Sequence, residues 1–385
     1  MVGADRCSHR SRNRTKKRWT AKLVAMLLGC FLSFLILECY VRWFDPFPIL
    51  LRGGRIDLPI RSKLTFSSQG VSGLDPTIRV SYNALGFRGP EPPIDWIETE
   101  TMICVGGSTT QCLYLSDGTT WPDQLASKFS ASGRNLWINN AGIDGHSTFG
   151  HLQLLQQYIL PLHPRSVLFL VGLNDVDRVD LGESDATTLR GLGKQDDSLL
   201  RSAQRWLLRN SSAFALLDNL RLHGMARRKG LAHGAMGHGS LSSSSPVQRM
   251  SDTARQQWIA DRDPNCLTDY GKRLHQLVDL CQRENIKCFL ATQPVLYGVG
   301  VDEATGLDLE AVRVGEVDGW THWQLLRKYN ETTLEVARIR GVPCVDLATE
   351  LPKSSLYFYD LTHYNKQGAE KVAQIVFDAL VEQWE

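Results

Sequence analysis

Short apolar runs rich in branched side chains alternate along this chain with longer amphipathic stretches. The strand-like runs cover residues 101–107, 135–142, 166–175, 286–294 and 342–348. Helical periodicity covers residues 121–131, 148–160, 268–284, 322–339 and 366–384. Because strands and helices follow one another in turn, the pattern predicts a parallel sheet covered by helices, within a main domain at 101–385.

Two less regular regions interrupt or precede this repeat. Residues 45–100 read as a connecting segment with short strand-like pieces and the turn-rich sequence YNALGFRGPEPP. Residues 176–265 read as a long insertion between the third and fourth strands, and its sequence RRKGLAHGAMGHGSLSSSSP is typical of a mobile loop. No internal repeat is visible.

The N-terminal pattern is of a different kind. Residues 1–22 form a basic tail, and the fifteen residues from 23 to 37 carry no charge. A full span needs roughly 20 residues, but Lys22 and Arg42 can extend toward the interface. We therefore predict an uncleaved transmembrane signal anchor at 23–44, with the N-terminus cytoplasmic and the catalytic part extracytoplasmic: periplasmic, extracellular or lumenal.

Two other interpretations of that apolar run stay open. One is a cleaved signal peptide, although the bulky, charged sequence ECYVRWFDP follows where a small-residue cleavage site would be expected. The other is a buried core helix of a soluble domain.

Composition is ordinary, but charge is unevenly distributed. The 385 residues are 43% hydrophobic and carry a net charge of +2. Residues 1–22 hold eight Lys or Arg and one acid, which leaves 35 basic and 40 acidic side chains in the remainder. A nucleic-acid-binding domain would carry its positive charge on the folded part, so we expect no nucleic-acid partner.

Cysteine and histidine patterns give no sign of a metal. The nine cysteines include no CxxC pair, which disfavours zinc and thioredoxin-like sites. Cys104 and Cys288 lie in strand-like runs and read as small buried hydrophobes, while disulfides among the other cysteines of the body stay open. His223, His233 and His238 lie in the Gly/Ser-rich loop and do not read as ligands. We expect no cofactor.

Ser108 follows the first predicted strand in the sequence VGGSTT. A serine at the carboxyl end of a parallel strand, at the start of a helix, has an accessible hydroxyl and is a candidate nucleophile. The sequence lacks the GxxxxGK[ST] lysine and the GxGxxG spacing, which disfavours a nucleotide site. The simpler alternative is a helix N-cap after a turn.

Asp360 and His363 stand three residues apart in YDLTHYN. On one turn both side chains lie on the same side, so the carboxylate can fix the imidazole tautomer while the other ring nitrogen takes a serine proton. Alone, the pair is equally consistent with an N-cap at a helix start.

Gly142 in NNAGIDG and Asn174 in VGLND end the second and third predicted strands. A glycine N–H and an asparagine amide, together with the N–H of Ser108, are suitable donors for the oxyanion of a tetrahedral intermediate. Asp175 reads as structural. The four segments together predict attack on an ester carbonyl.

These segments resemble the blocks of the SGNH/GDSL hydrolase superfamily over roughly residues 100–385. Ser108 matches the block I serine, Gly142 the block II glycine, Asn174 the block III asparagine, and Asp360 with His363 the block V D-x-x-H. The resemblance implies a three-layer α/β/α sandwich with a mainly parallel five-stranded sheet, and ester hydrolysis without metal or cofactor. Gly107 stands where the family has aspartate, as in a membrane-linked subset, and YNALGFRG is similar to a segment found upstream in that subset.

The expected function is therefore a membrane-anchored serine hydrolase that cleaves acyl or acetyl esters through an acyl-serine. Its expected partners are an acyl-ester substrate, on a polysaccharide, lipid or small molecule, and the lipid bilayer. Two alternatives remain: an O-acyltransferase that uses a carbohydrate or lipid hydroxyl with the same site, and a non-catalytic anchored binding protein.

Overall fold

A computed structural model describes most of the chain. The residues it describes are 5–44, 58–59, 63–68, 70–176, 178, 207, 211, 213–214, 241, 247, 249–262 and 265–384. Most of the predicted insertion at 176–265, including His223, His233 and His238, therefore lies outside the described residues. Within these ranges the chain divides into two units, one holding residues 5–44 and 207–214, and the other holding the rest.

The larger unit contains the predicted strand and helix repeat. Its strands are β1 Lys63–Ser67, β2 Thr77–Ser81, β3 Thr101–Gly106, β4 Trp137–Asn140, β5 Ser166–Val171, β6 Lys287–Thr292, β7 Arg313–Val314, β8 Val317–Asp318 and β9 Cys344–Val345. Helix α1, Asp5–Phe44, belongs to the smaller unit. The helices of the larger unit are α2 Ser108–Gln111, α3 Trp121–Ala131, α4 Thr148–Leu154, α5 Asp252–Arg262, α6 Cys266–Arg283, α7 Gly319–Arg340, α8 Leu347–Glu350 and α9 Lys366–Leu380.

The central sheet has five parallel strands in the order β4-β3-β5-β6-β9. The chain leaves β3 toward one edge to form β4 and then returns to the other side of β3 to form β5. Loops at the carboxyl ends of β3 and β5 therefore diverge, which is where open α/β sheets bind ligands. Gly106 pairs with Leu170 at this point, so residues 107–108 and 172–175 leave the sheet side by side.

Side chains of the buried strands alternate between two helical layers. Met102 and Cys104 of β3 join a core that includes Trp121 and Phe129 of α3 and Val372 of α9. Ile103 and Val105 point to the opposite face because successive strand residues alternate, and α4, α6 and α7 lie on that side. The fold is therefore the three-layer α/β/α sandwich expected from the sequence, and Cys104 and Cys288 are buried in it.

Several predicted elements are shorter than expected. The predicted helix at 148–160 is α-helical only to Leu154, and continues as a π-helical turn, Leu155–Ile159, and a 3-10 turn, Leu160–Leu162. Pro161 has no N–H to continue α-helical bonding, so the helix tightens and ends there. The predicted strand at 342–348 pairs only over Cys344–Val345, and α8 begins two residues later at Leu347.

The segment ahead of the sheet also has a defined structure. β1 and β2 form an antiparallel hairpin, and the turn after β2 is held by the side chain of Asn83. Its Oδ1 accepts from the N–H groups of Leu85 and Phe87, and its Nδ2 donates to Pro90 O and Asn139 Oδ1. This turn leads into Arg88, whose backbone bridges Asn140 of β4.

The smaller unit is dominated by one long helix, α1, Asp5–Phe44. Within it, Val24–Val41 is the one described stretch that is long and apolar enough to cross a membrane, by length and composition only. Large apolar side chains along this stretch face outward, such as Phe31 at 58% and Ile36 at 70% exposure. Near its end Glu38 accepts hydrogen bonds from Ser211 Oγ and the N–H of Ala213.

Candidate active site

Ser108 is the first residue of the single-turn helix α2, directly after β3. Two glycines make this sharp exit from the sheet possible. A Cβ on Gly106 would overlap Thr110 Oγ1 and lie 2.9 Å from Leu170 O, and a Cβ on Gly107 would overlap Asn174 Nδ2. The backbone therefore passes close to both neighbouring segments, and Ser108 is left partly exposed at the sheet edge.

Asp360 and His363 are held together by local hydrogen bonds. Asp360 Oδ1 accepts from the N–H of Thr362 at 2.8 Å and of His363 at 2.7 Å, while Oδ2 lies 2.7 Å from His363 Nδ1. Burial raises the pKa of Asp360, but the hydrogen bonds from His363 and Thr362 outweigh it, so this pKa lies below its usual value. The carboxylate is therefore ionised at neutral pH and can orient the imidazole.

The opposite nitrogen of the same ring reaches the serine. His363 Nε2 lies 2.8 Å from Ser108 Oγ, across 255 positions of sequence. A base within hydrogen-bond reach of a hydroxyl, and itself oriented by a carboxylate, is the arrangement that activates a serine nucleophile. The structure therefore brings together the three residues predicted to be catalytic.

Asn174 lies beside the turn that contains Gly107 and Ser108. It sits in a short 3-10 turn after β5, and Gly172 at its start has φ +122°, a conformation that favours glycine. Its Nδ2 donates to His146 O at 2.9 Å and occupies the space next to Gly107. A primary amide has two N–H donors, so one can hold the amide in place while the second points elsewhere.

Gly142 is placed differently from the other predicted donors. Its N–H donates to Asn140 Oδ1 at 2.9 Å, and a Cβ here would overlap the backbone N of Gln111. The glycine thus lets this loop pack against α2, while its role as an oxyanion donor stays a prediction. Gly145, three residues on with φ +70°, precedes His146, whose carbonyl binds the Asn174 amide.

Asp175 supports its neighbour from the protein interior. Its carboxylate accepts from the N–H of Thr148 at 3.0 Å and from the Thr148 hydroxyl, and Arg273 Nη2 lies 3.4 Å away. Burial raises the pKa of Asp175 to about 6, against the opposing effects of Thr148 and Arg273. This network joins the end of β5 to the start of α4, as expected for the structural role predicted from the sequence.

One contributor was not identified from sequence. The Arg88 side chain is almost fully buried, and its guanidinium donates to the carbonyls of Gln111, Cys112 and Leu115, and to Asp117 Oδ1. A long cationic side chain in a turn-rich segment usually reads as exposed. The only signal was the family-like YNALGFRG sequence, which does not reveal what the arginine contacts.

Tyr359 is a second contributor that the sequence did not single out. Its ring stacks on the His363 imidazole, with centroids 5.6 Å apart and planes inclined by 10°. Behind it lie Ile78, Val80 and Tyr82 of β2 and the following turn, together with Tyr114. The histidine is therefore packed from the side that faces the upstream hairpin.

Comparison with known families agrees with this geometry. Residues 104–371 match the GDSL-like lipase/acylhydrolase family. The chain belongs to that family. It is accordingly a carboxylic ester hydrolase by family, and the matched region contains every residue predicted from the sequence to be catalytic.

Several solved structures are similar to this chain at low sequence identity. The chain is similar to an α/β hydrolase enzyme from the metagenome of Lake Arreo, Spain, with 15% identity over 73% of this chain and 94% of that chain (TM-score 0.41). It is similar to the acetyl xylan esterase AlAXEase, with 16% identity over 73% and 99% (TM-score 0.38). It is also similar to an acetylxylan esterase from Geobacillus stearothermophilus, with 13% identity over 73% of this chain and 94% of that chain (TM-score 0.41). No curated protein sequence matches the chain.

The GDSL-like pattern has one departure here, at a position that packs closely against Asn174. The family's aspartate before the serine is replaced by Gly107, and the volume beside that position is filled by the Asn174 amide. Any side chain at 107 would have to displace that amide. The glycine and the block III asparagine are therefore a matched pair in this GDSL-like enzyme.

Proposed function

We propose that this protein is a membrane-anchored esterase that hydrolyses acyl or acetyl esters through an acyl-enzyme on Ser108. The observation that carries the proposal is the continuous hydrogen-bonded series Ser108 Oγ, His363 Nε2, His363 Nδ1 and Asp360 Oδ2, with separations of 2.8 and 2.7 Å. Membership of the GDSL-like family supports the same reaction class.

The chemistry follows from which group holds the proton. His363 Nε2 accepts the Ser108 proton as Oγ bonds to the ester carbonyl carbon, and Asp360 stabilises the resulting imidazolium. The imidazolium then gives that proton to the departing alkoxide, and the C–O bond of the ester breaks. Water repeats the sequence on the acyl-serine, which releases the carboxylic acid and returns the proton to Ser108.

We assign oxyanion stabilisation to the N–H of Ser108 and the second amide hydrogen of Asn174. Both groups lie at the divergence of β3 and β5, and the contact of Asn174 with His146 O fixes the amide before substrate arrives. Such preorganised donors typically contribute about 2.7 to 4 kcal/mol each to lowering the barrier. A third donor would come from the turn at 142–146, where Gly142 is the residue predicted from the sequence.

Labelling with a fluorophosphonate probe tests the nucleophile directly. The full-length protein in detergent is expected to acquire one label on the peptide containing Ser108, and Ser108→Ala is expected to acquire none. Activity on p-nitrophenyl acetate should fall on the order of 10⁴-fold or more in that variant, with unfolding unchanged. Persistent labelling of Ser108→Ala would overturn the assignment.

The membrane part of the proposal rests on α1. Its outward-facing apolar side chains between Val24 and Val41 fit a lipid environment, and the basic residues before them favour retention of the N-terminus in the cytoplasm. The full chain is expected to resist alkaline extraction from membranes, whereas Leu28→Lys combined with Phe31→Lys should release it. A mature protein whose mass lacks residues 1–44 would indicate a cleaved signal sequence instead.

A further inference from the structure

We infer that the segment upstream of the family-matched region, residues 77–91, is a positioning element of the active site, and that Arg88 is its central residue. This segment, here called the upstream strap, comprises β2 and the turn that follows it. It lies entirely ahead of residue 104, where the match to the GDSL-like family begins. The inference rests on the proposed function, because it concerns how the proposed nucleophile is held.

Arg88 makes three hydrogen bonds to one small element of the site. Nη1 donates to Gln111 O at 2.7 Å and Cys112 O at 2.6 Å, and Nη2 donates to Leu115 O at 2.8 Å. These carbonyls belong to the end of α2 and the turn beyond it. A four-residue helix has no interior to stabilise it, so its position depends on such external donors.

The backbone of Arg88 is itself held by β4. Its N–H and C=O exchange hydrogen bonds with Asn140 at 2.9 and 2.8 Å. The side chain of that same Asn140 donates to Thr110 O at 2.6 Å. Arg88 and Asn140 therefore join β4 to the carbonyl end of the helix whose first residue is Ser108, and the helix is held between the sheet and the strap.

The positive charge of Arg88 also ties it to this turn. The guanidinium is removed from water, and its charged partner is Asp117, 3.1 Å away and partly exposed. Asp117 is in turn held by the strap, since it accepts from the N–H of Ser81 at 3.1 Å and the Ser81 hydroxyl at 2.7 Å. A buried cation is costly unless it is paired. The two Nη groups of Arg88 find their acceptors in these carbonyls and in Asp117, while Nε has no partner, so a shift of this turn would leave still more of the buried charge unsatisfied.

The strap also reaches the other half of the site. Ile78, Val80 and Tyr82 pack in one cluster with Tyr359, whose ring lies flat on His363. One continuous segment thus contacts the support of the serine and the support of the histidine. Because the reacting groups must keep a separation of one hydrogen bond, a displacement of either support lowers the rate without removing any catalytic group.

The experiment compares Arg88→Met and Arg88→Lys with a stability control, Leu277→Ala, in full-length protein. Leu277 is buried in α6 and contributes to the core on a helix that carries no catalytic residue. All three variants are first compared by thermal unfolding. Then kcat, KM and the rate of fluorophosphonate labelling at Ser108 are measured at a temperature where each is folded.

Arg88→Met is expected to lower kcat and the labelling rate by about 10- to 100-fold with KM little changed. Arg88→Lys should be intermediate, because one ammonium cannot reach the carbonyls that the two guanidinium nitrogens share. Leu277→Ala should lose thermal stability while its kcat stays near wild type. A further variant, Arg88→Ala, leaves a cavity at this position, so millimolar guanidinium should partly restore its labelling rate and leave that of Leu277→Ala unchanged.

Two results would overturn the inference. One is a labelling rate in Arg88→Met equal to that of Leu277→Ala, and the other is an effect of Arg88→Met confined to KM. Failure of the proposed function has a separate signature, because wild-type protein would then not label at Ser108 at all.

Discussion

The two halves of the proposed catalytic site are held by different kinds of contact. Asp360 and His363 are held by bonds between residues at most three positions apart, including those from Thr362 and His363 to Asp360 Oδ1. Ser108 is held through α2 by partners farther away in sequence: Arg88 donates to Gln111 O, and Asn140 donates to Thr110 O. The hydrogen bonds that hold the acid–base pair are thus local, whereas those that hold the serine come from distant parts of the chain.

This difference teaches where the site is sensitive to change. Loss of a hydrogen-bonding group near His363 acts mainly within one short loop, and its effect can be estimated from the bonds in that loop. A substitution near Ser108 acts through elements from three parts of the chain, so residues without catalytic groups also matter there. The acid–base pair and the surroundings of Ser108 can each be tested separately.

Asp360→Asn tests the Asp360–His363 pair and should lower activity more than the other variants below. Asparagine keeps an oxygen that can accept from the N–H of Thr362 and His363, but it cannot hold His363 in the required tautomer. We expect kcat to fall about 10⁴-fold, measured with p-nitrophenyl acetate at neutral pH.

Asp346→Asn is a matched control for this variant. Asp346 follows β9 at the same sheet edge, and its Oδ1 accepts from Thr292 Oγ1 at 2.8 Å. Its activity should stay close to that of the wild type. A loss smaller than about tenfold in Asp360→Asn would contradict the role of this carboxylate.

Asn174→Ala and Gly107→Ala test the long-range half. Removal of the amide should lower kcat about 10²- to 10³-fold, as expected for one oxyanion donor. Gly107→Ala should produce a smaller loss, because the new Cβ displaces the Asn174 amide without removing it.

A double-mutant cycle sharpens this test. If Gly107 acts through Asn174, the alanine at 107 should cost little further activity in the Asn174→Ala background. Independent, additive losses would show that the two residues are not a matched pair.

Asp175→Asn should have the smallest effect on activity and is best followed through stability. Because the pKa of Asp175 is raised to about 6, ionisation of this buried carboxyl opposes folding. Wild type should therefore lose stability relative to the variant as pH rises from about 4 to above 6, by up to about 3 kcal/mol.

Asp360, whose pKa is lowered, provides the opposite sign. Its contribution is present above the unfolded-state pKa and is lost as pH falls below about 4. Urea unfolding at a series of pH values should show both trends. Equal pH dependence in wild type and Asp175→Asn would contradict the assignment of the raised pKa.

The same contrast explains what could be predicted from the sequence. The five sheet strands were identified because each is a short apolar run, and Ser108 and Asn174 were expected at the carboxyl ends of the first and third strands. That these two strands are neighbours in the sheet is known from the structure. Asp360 and His363 were identified because three-residue spacing fixes their relation locally. The ends of the elements were less predictable. The helix predicted at 148–160 loses regular α-helical bonding after Leu154, ahead of Pro161, which has no N–H to donate.

What could not be predicted depends on contacts between distant segments. Arg88 binds backbone carbonyls, and every residue has a carbonyl, so nothing in the sequence marks its partners. The two glycines of NAGIDG look alike in sequence, although the N–H of Gly142 donates to Asn140 and the turn at Gly145 leads to His146 O, the acceptor of the Asn174 amide. Their roles are separated by the packing of this loop against α2.

The separation of 255 positions between Ser108 and His363 also has a consequence during synthesis. At translation rates of about 5 to 20 residues per second, the serine emerges from the ribosome roughly 13 to 50 seconds before its base does. Throughout that interval Ser108 is an ordinary alcohol with no proton acceptor. On the proposed mechanism, the nascent chain therefore has no activity toward esters until the segment that carries His363 has been made and folded against Ser108.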